Sequence, residues 1–275
     1  MAFAGRAVLF VEGVDAPRHR LPGPLSTIWQ SHLVNSLGLI DIDRIVGINK
    51  KNLVAMEQAN VKRKQLSGAG MLGLDQRIAR ELQRQPFEVA VIAWDLMPPW
   101  EPSAPMCRWE ETLSLYRGLS ESQVLPDAPW RRWAGNRYRE LLARNRGRRD
   151  RNPPRLEDGA VLALCMEPVF ESLLIVCEQV IRRILGVKDG GRVKWPTWKD
   201  HLERPEELLQ LAINAARQVV PKPIAMSRVR GDMRTAKHEW GEYLLRGMIE
   251  DPQCLEEFRQ HPTATRLVRL LSRGR

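Results

Sequence analysis

The chain has 275 residues, 43% of them hydrophobic, and a formal net charge of +10. That length allows one large domain or two modest ones. No apolar run approaches the ~20 residues of a membrane span, and the N-terminus lacks the pattern of a secretory signal. The four cysteines lack the paired spacing of a zinc site or a disulfide framework. We therefore expect a cytoplasmic protein with no membrane partner.

The first half of the chain alternates between strand and helix patterns. An apolar run over residues 6–12 predicts a strand buried on both faces. A helix is predicted over 25–37 and a short strand over 44–49. Residues 50–70 are polar and basic, which indicates a loop or a mobile helical segment. Apolar residues at helical spacing then predict a helix over 74–83.

The alternation continues through the middle of the chain. Residues 88–95 predict a third strand, and the dense prolines of 98–102 exclude regular structure there. The segment 106–150 has a helical pattern. A fourth strand is predicted over 160–166, and one long helix over 168–185.

The remainder of the chain is predicted to be helical or looped, with helices over 205–219, 235–249 and 263–271. Strands separated by helices predict a parallel sheet. The fold class is therefore α/β: a mainly parallel four-stranded sheet flanked by helices, with a helical basic insertion and a helical C-terminal tail.

Two of the predicted strands end in a carboxylate. Glu12 closes the first strand and Asp95 closes the third. Ligands of open parallel sheets bind outside the carboxyl ends of the strands, so we expect both residues at the edge that carries chemistry. Adjacent carboxylates repel each other unless a cation relieves them, and Mg²⁺ prefers such oxygen ligands. The alternative is that both residues merely cap the following helices.

The positive charge is concentrated in an arginine-rich segment between Trp130 and Arg155. Its arginines include Arg131, Arg132, Arg137, Arg144, Arg146, Arg148 and Arg149. Arginine binds phosphate bidentately, and the interleaved Trp130, Trp133 and Tyr138 add a stacking capacity, so the segment predicts binding of nucleic acid. The alternative is a solvated basic helix that docks on an acidic protein. Lys222, Arg228, Arg230, Arg234 and Lys237 form a second basic stretch.

The order of these features resembles the Toprim fold, a metal-binding domain of topoisomerases, primases and overcoming-lysogenization-defect nucleases. That family ends its first strand in Glu-Gly, here Glu12-Gly13, and its third strand in Asp-x-Asp, here Asp95-Leu96-Met97. The first aspartate matches and the second does not. The resemblance implies a Toprim-like domain over 1–185, with the helical insertion at about 100–157, and a helical region over 186–275 packed on it.

More narrowly, the chain resembles uncharacterised Toprim-like proteins found beside ATPases in phage-defence loci. They carry Phe-Glu-x-Leu-Leu after the fourth strand, here residues 170–174. The resemblance implies that Glu12, Asp95 and Glu171 (or Glu167 in its place) are catalytic residues and ligands of Mg²⁺ or Mn²⁺. Glu171 has an alternative role, as the ion-pair partner of an arginine on a half-buried helix face.

Two functions remain open. The first is a Mg²⁺-dependent nuclease that acts as the effector of an ATPase-controlled defence system. The second is a non-catalytic Toprim-like subunit that binds nucleic acid or an ATPase partner. Met97 in the second aspartate position favours the second function, whereas Glu12, Asp95 and the basic insertion favour the first. The absence of a Gly-x-x-x-x-Gly-Lys-Ser/Thr loop argues against nucleotide hydrolysis through a P-loop.

Overall fold

A computed structural model describes most of the chain. The described residues are 6–12, 42–48, 52, 72–95, 108–143, 157–166, 170–188, 191–262 and 264–265. The predicted helix over 25–37, the predicted loop over 50–70 apart from Asn52, and nearly all of the predicted helix over 263–271 lie outside these ranges. The same holds for Met97 and Glu167.

Four parallel strands form the centre of the fold, in the spatial order β2-β1-β3-β4. They are β1 (Ala7–Glu12), β2 (Ile42–Ile48), β3 (Val89–Asp95) and β4 (Ala160–Met166). The sequence-based prediction of a four-stranded parallel sheet is confirmed, with bounds that differ by at most two residues. Residues Ala7–Val11 and Val89–Trp94 are at most 1% exposed, as expected for apolar runs covered on both faces.

Eight helices of the described residues surround the sheet or follow it. They are α1 (Leu74–Arg84), α2 (Arg108–Ser120), α3 (Arg132–Leu142), α4 (Glu178–Ile184), α5 (Pro205–Ala216), α6 (Ile224–Arg228), α7 (Lys237–Ile249) and α8 (Pro252–Gln260). A tight helical turn, Phe170–Ile175, precedes α4. The buried residues of the C-terminal helices belong to the same hydrophobic core as the sheet.

Two helix predictions need correction. The single helix predicted over 168–185 is wrong, because the Phe170–Ile175 turn ends before Cys177, whose extended backbone begins α4. The apolar spacing continues across this break because both pieces bury residues in the same core, so periodicity alone does not reveal it. The segment predicted to be helical over 106–150 contains α2 and α3, with an irregular connection between them.

The edge strand β2 is tied to α1 by Arg44. Its guanidinium donates to the carbonyls of Glu81 and Gln85, at the C-terminal end of α1, and to the carboxylate of Glu81. The Glu81 carbonyl also accepts the backbone N–H of Gln85, and a cation at this end of the helix complements the helix dipole. The guanidinium also lies 5.4 Å from the ring centroid of Phe87, a core residue.

The other edge strand, β4, is covered by Tyr116 of α2. The Tyr116 hydroxyl donates to the carbonyl of Val161 (2.8 Å) and accepts from the backbone N–H of Ala163 (3.2 Å). One buried side chain therefore satisfies a donor and an acceptor on the open side of the strand. An unpaired strand edge invites pairing with another chain, so this contact protects β4 as well as fixing α2 against it.

We predict that Tyr116→Phe lowers the free energy of unfolding by about 1–3 kcal/mol, because it keeps the ring but leaves two backbone groups buried without a partner. Chemical denaturation monitored by circular dichroism measures the change. Tyr138→Phe is the matched control, since Tyr138 is only half-buried, and it should stay within about 0.5 kcal/mol of the wild type. Equal effects of the two substitutions would contradict the role given to the Tyr116 hydroxyl.

Candidate functional site at the carboxyl edge of the sheet

Glu12 and Asp95 end neighbouring strands at the same edge of the sheet. The pairing of β1 with β3 runs from Ala7↔Val89 to Val11↔Ala93. If the same register continues by one residue, Glu12 lies opposite Trp94, and Asp95 lies one residue beyond that position on β3. A strand spacing of about 4.8 Å and a rise of about 3.3 Å place their Cα atoms about 6 Å apart. The side chain of Glu12 is half-buried, and that of Asp95 lies outside the described structure.

This edge is also where the strand order reverses. From β1 the chain goes to β2, which lies on one side of β1. The next strands, β3 and then β4, lie on the other side of β1. In open α/β sheets, including those in which β1 and β3 are neighbours, the crevice at such a switch point is the usual ligand site. Glu12 and Asp95 flank it.

Glu171 lies in the tight turn after β4 and is 6% exposed. Its Oε1 atom is 2.8 Å from Nζ of Lys237, the first residue of α7. The same Nζ is 3.2 Å from Oε2 of Glu206 in the first turn of α5. Glu171 is thus paired with a cation, as one alternative supposed, but the cation is a lysine from a different helix. Its role as a metal ligand stays a prediction.

The two carboxylates change the protonation behaviour of Lys237. Burial by itself would lower its pKa, but the charges and hydrogen bonds of Glu171 and Glu206 outweigh that effect and raise the pKa. The ammonium form therefore persists above the usual lysine range. The stabilisation from this pairing is fully present below the ordinary lysine pKa of 10.5 and is lost only as the pH rises through the raised value.

The described arginines of the arginine-rich segment differ in exposure. Arg132 is exposed, and Arg131 is half-buried with its Nε donating to the carbonyl of Ser120. Arg137 is 5% exposed and pairs with Glu140 at 2.6 Å, so its guanidinium is largely withdrawn from the surface. The predicted phosphate ligands Arg144, Arg146, Arg148 and Arg149 lie outside the described residues.

The tryptophans interleaved with these arginines belong to the core. Trp130 and Trp133 are 4% and 7% exposed, and Trp130 packs edge-on against Phe87. Trp133 lies 5.9 Å from Tyr116, centroid to centroid. Neither indole is available to stack on a base in this structure. Of the three interleaved aromatic residues, Tyr138 alone is partly exposed, so contact with nucleic acid by the described part of this segment would depend mainly on its charges.

No group of three or more histidine, cysteine or carboxylate side chains lies in metal-binding proximity among the described residues. The buried Cys177 and Cys254 are free thiols that contact each other, and burial is the main cause that raises the pKa of Cys254. Cys177 is thus a core residue. None of the helices within the described ranges is long and apolar enough to span a bilayer.

The chain matches no protein-family model, no curated protein and no solved structure. The chemistry of its site is therefore inferred from its own residues, from their positions in the sheet and from the resemblance of its motifs.

The Glu171–Lys237 pair is the described feature of this region that sequence reasoning did not find. The two residues lie far apart in the chain, and each has several candidate partners of opposite charge. The one signal in the sequence is that both sit at the start of a helical segment next to apolar residues. Such a position predicts partial burial but not the identity of the partner.

We predict that Lys237→Met costs about 2 kcal/mol of unfolding free energy, because it leaves the buried Glu171 carboxylate without its cation. The double variant Lys237→Met/Glu171→Met should regain most of that loss, since both charged groups are then gone. Thermal and chemical denaturation of the single and double variants measures the coupling.

Glu206→Gln is the control for this cycle, because Glu206 is exposed and its contribution should stay below about 1 kcal/mol. Additive losses in the double variant would show that Lys237 and Glu171 act independently, contrary to the geometry.

Proposed function

We propose that this protein is a Mg²⁺-dependent nuclease of the Toprim type that cleaves nucleic-acid phosphodiester bonds. The observation that carries the proposal is the placement of Glu12 and Asp95 on neighbouring strands, at the switch point of a parallel sheet. Carboxylates at that point are a suitable donor set for a hard cation. The order of motifs Glu12-Gly13, Asp95 and Phe170-Glu171 adds the resemblance described above.

The residues present fit a magnesium or manganese ion. Glu12 and Asp95 would hold it, and Glu171 would become a third ligand if Lys237 released it. The bound ion would orient a phosphate and neutralise charge that develops on the leaving oxygen. Glu12, half-buried at the end of its strand, has the carboxylate that a general base requires and could serve in that role instead of as a ligand.

A nuclease must also bind the negatively charged backbone of its substrate, and the arginine-rich segment would provide positive charge for that purpose. Its exposed arginines would contact phosphates without reading sequence. The resemblance to Toprim-like proteins encoded beside ATPases further suggests that the enzyme is the effector of a phage-defence system and works with an ATPase partner.

A second candidate function is a non-catalytic Toprim-like subunit that binds nucleic acid or an ATPase partner. Two observations favour it. Met97 stands where the family has its second aspartate, and a thioether does not bind a hard cation. In addition, Lys237 already neutralises the carboxylate of Glu171.

For the nuclease we predict that Mg²⁺ or Mn²⁺ raises the melting temperature of the wild type, since a ligand selective for the native state stabilises it. Asp95→Asn should abolish the shift. Glu12→Gln should reduce metal-dependent cleavage of single- and double-stranded DNA and RNA by at least about a hundredfold. Melting curves and gel-based cleavage assays make these measurements.

Glu157→Gln is the matched control, because Glu157 is an exposed carboxylate just before β4, at the opposite edge of the sheet. It should leave both the metal shift and the cleavage unchanged. A wild-type protein that shows no metal shift and no cleavage, yet still binds nucleic acid, would support the non-catalytic subunit instead.

For the arginine-rich segment we predict that binding of nucleic acid weakens linearly with the logarithm of salt concentration, by ~0.7–0.9 log units per neutralised phosphate for each tenfold change. Replacing Arg144, Arg146, Arg148 and Arg149 with alanine should flatten that slope and weaken all sequences about equally. Fluorescence anisotropy over a salt series measures both quantities.

Four exposed cations elsewhere provide the control: Lys188, Arg192, Lys194 and Lys199. Alanine at these positions removes the same formal charge and should change the slope much less. An unaltered slope in the arginine variant would assign the segment to an acidic protein partner rather than to nucleic acid.

A further inference from the structure

Two aliphatic side chains protrude from the segment that follows α5. Val220 is 91% exposed and Ile224 is 72% exposed, the highest values among the large hydrophobic residues that the structure describes as exposed. They lie in residues 217–234, which we call the 217–234 segment. Single exposed hydrophobic residues are ordinary on protein surfaces, but two so close together and so fully exposed favour a contact surface.

The 217–234 segment is held firmly against the rest of the protein. Pro223 packs on Gly186 so closely that a Cβ atom at Gly186 would lie 2.7 Å from the Cβ of Pro223. The guanidinium of Arg217 donates to the carbonyl of Gly231, which joins the two ends of the segment. The backbone N–H of Met233 donates to Gln210 of α5 at 2.8 Å.

Three other apolar residues of the segment are buried in the core. Ala225, Val229 and Met233 are between 1% and 7% exposed. Val220 and Ile224 are therefore exposed on a segment that is anchored to the protein, because buried side chains of the same segment pack into the core.

Unpaired positive charge surrounds the two aliphatic residues. The segment contains five cations, Arg217, Lys222, Arg228, Arg230 and Arg234, and one carboxylate, Asp232. The Asp232 carboxylate accepts the backbone N–H groups of Arg234 and Thr235, each at 3.0 Å. Lys222, Arg228, Arg230 and Arg234 are exposed and form no ion pair with any residue that the structure describes.

We propose that the 217–234 segment is a docking surface for a protein partner whose complementary face is an apolar patch, such as the apolar stripe of an amphipathic helix, with an acidic rim. Ile224 and Arg228 stand four residues apart in α6, so an aliphatic anchor and a cation share one face. Protein interfaces generally have an apolar centre within a polar, solvent-accessible rim, and arginine is enriched among the residues that contribute most to binding.

The composition of the surface favours an acidic protein as the partner over nucleic acid or a membrane. The segment contains no aromatic side chain on which bases stack, and a phosphate backbone offers no apolar contact for Val220 and Ile224. A membrane-surface helix requires a long apolar face, whereas α6 has five residues. An acidic protein surface uses both the aliphatic residues and the cations.

The test measures binding of the full-length protein to a helical peptide of glutamate and leucine, with leucines at i, i+3, i+4 and i+7. Fluorescence anisotropy should show that Val220→Ser/Ile224→Ser weakens this binding at least about tenfold, because two buried aliphatic contacts are lost. Arg228→Gln/Arg230→Gln should also weaken it. Polyglutamate of equal length should bind more weakly and should respond only to the arginine variant.

Matched controls separate this surface from general charge and hydrophobicity. Val124→Ser/Leu142→Ser removes two other exposed aliphatic residues, and Arg80→Gln/Arg117→Gln removes two other exposed arginines. Neither should change peptide affinity. Failure of the wild type to bind the peptide, or equal weakening in the controls, overturns the proposal.

Duplex DNA and vesicles of phosphatidylserine and phosphatidylcholine test the other partners. If Val220→Ser/Ile224→Ser weakens binding to either of these and not to the peptide, the surface serves nucleic acid or a membrane, and the protein-docking proposal is overturned.

Discussion

The burial of β1 and β3 on both faces is the constraint on which the rest of the structure depends. Residues Ala7–Val11 and Val89–Trp94 are almost entirely removed from water, and this includes the large side chains Phe10 and Trp94. A parallel sheet of this kind is stable only when other elements cover both of its faces, and its connections must cross from one strand to the next through those elements. The two buried runs end at Glu12 and Asp95, which therefore stand at the carboxyl edge of the sheet.

The edge strands depend on side chains from neighbouring helices. Arg44 on β2 satisfies carbonyls at the end of α1, and Tyr116 on α2 satisfies the open side of β4. Both contacts join a strand to the helix that packs on it, so they set the position of that helix along the strand. The buried hydrogen bond between Ser122 and Asp75, at 2.7 Å, adds a link between the start of α1 and the turn after α2. Polar contacts thus position elements whose stability comes mainly from apolar burial.

Lys237 gives the helical C-terminal region a direct connection to the turn after β4. One ammonium group contacts carboxylates from that turn and from α5, while α7 begins at the lysine itself. Any change in the charge or ligation of Glu171 therefore acts on the start of two helices. If Glu171 binds the proposed metal, that binding would be linked to the helical region through Lys237. In the chain, the 217–234 segment lies between the two helices that Lys237 joins.

The sequence by itself determined the strands, their parallel arrangement and the two carboxylates at their ends, because continuous apolar runs that end in a charged residue leave few other solutions. The sequence did not determine which aromatic side chains are buried in the core or which charged side chains pair with each other. Trp130 and Trp133 had the composition of a stacking surface, yet they lie in the core, since an amphipathic indole suits both places. The break at Cys177 and the pairing of Glu171 with Lys237 were decided by tertiary structure alone. The local sequence pattern predicts whether a residue is buried. It does not predict the residue's interaction partner, because that partner lies far away in the sequence and comes close only when the chain folds.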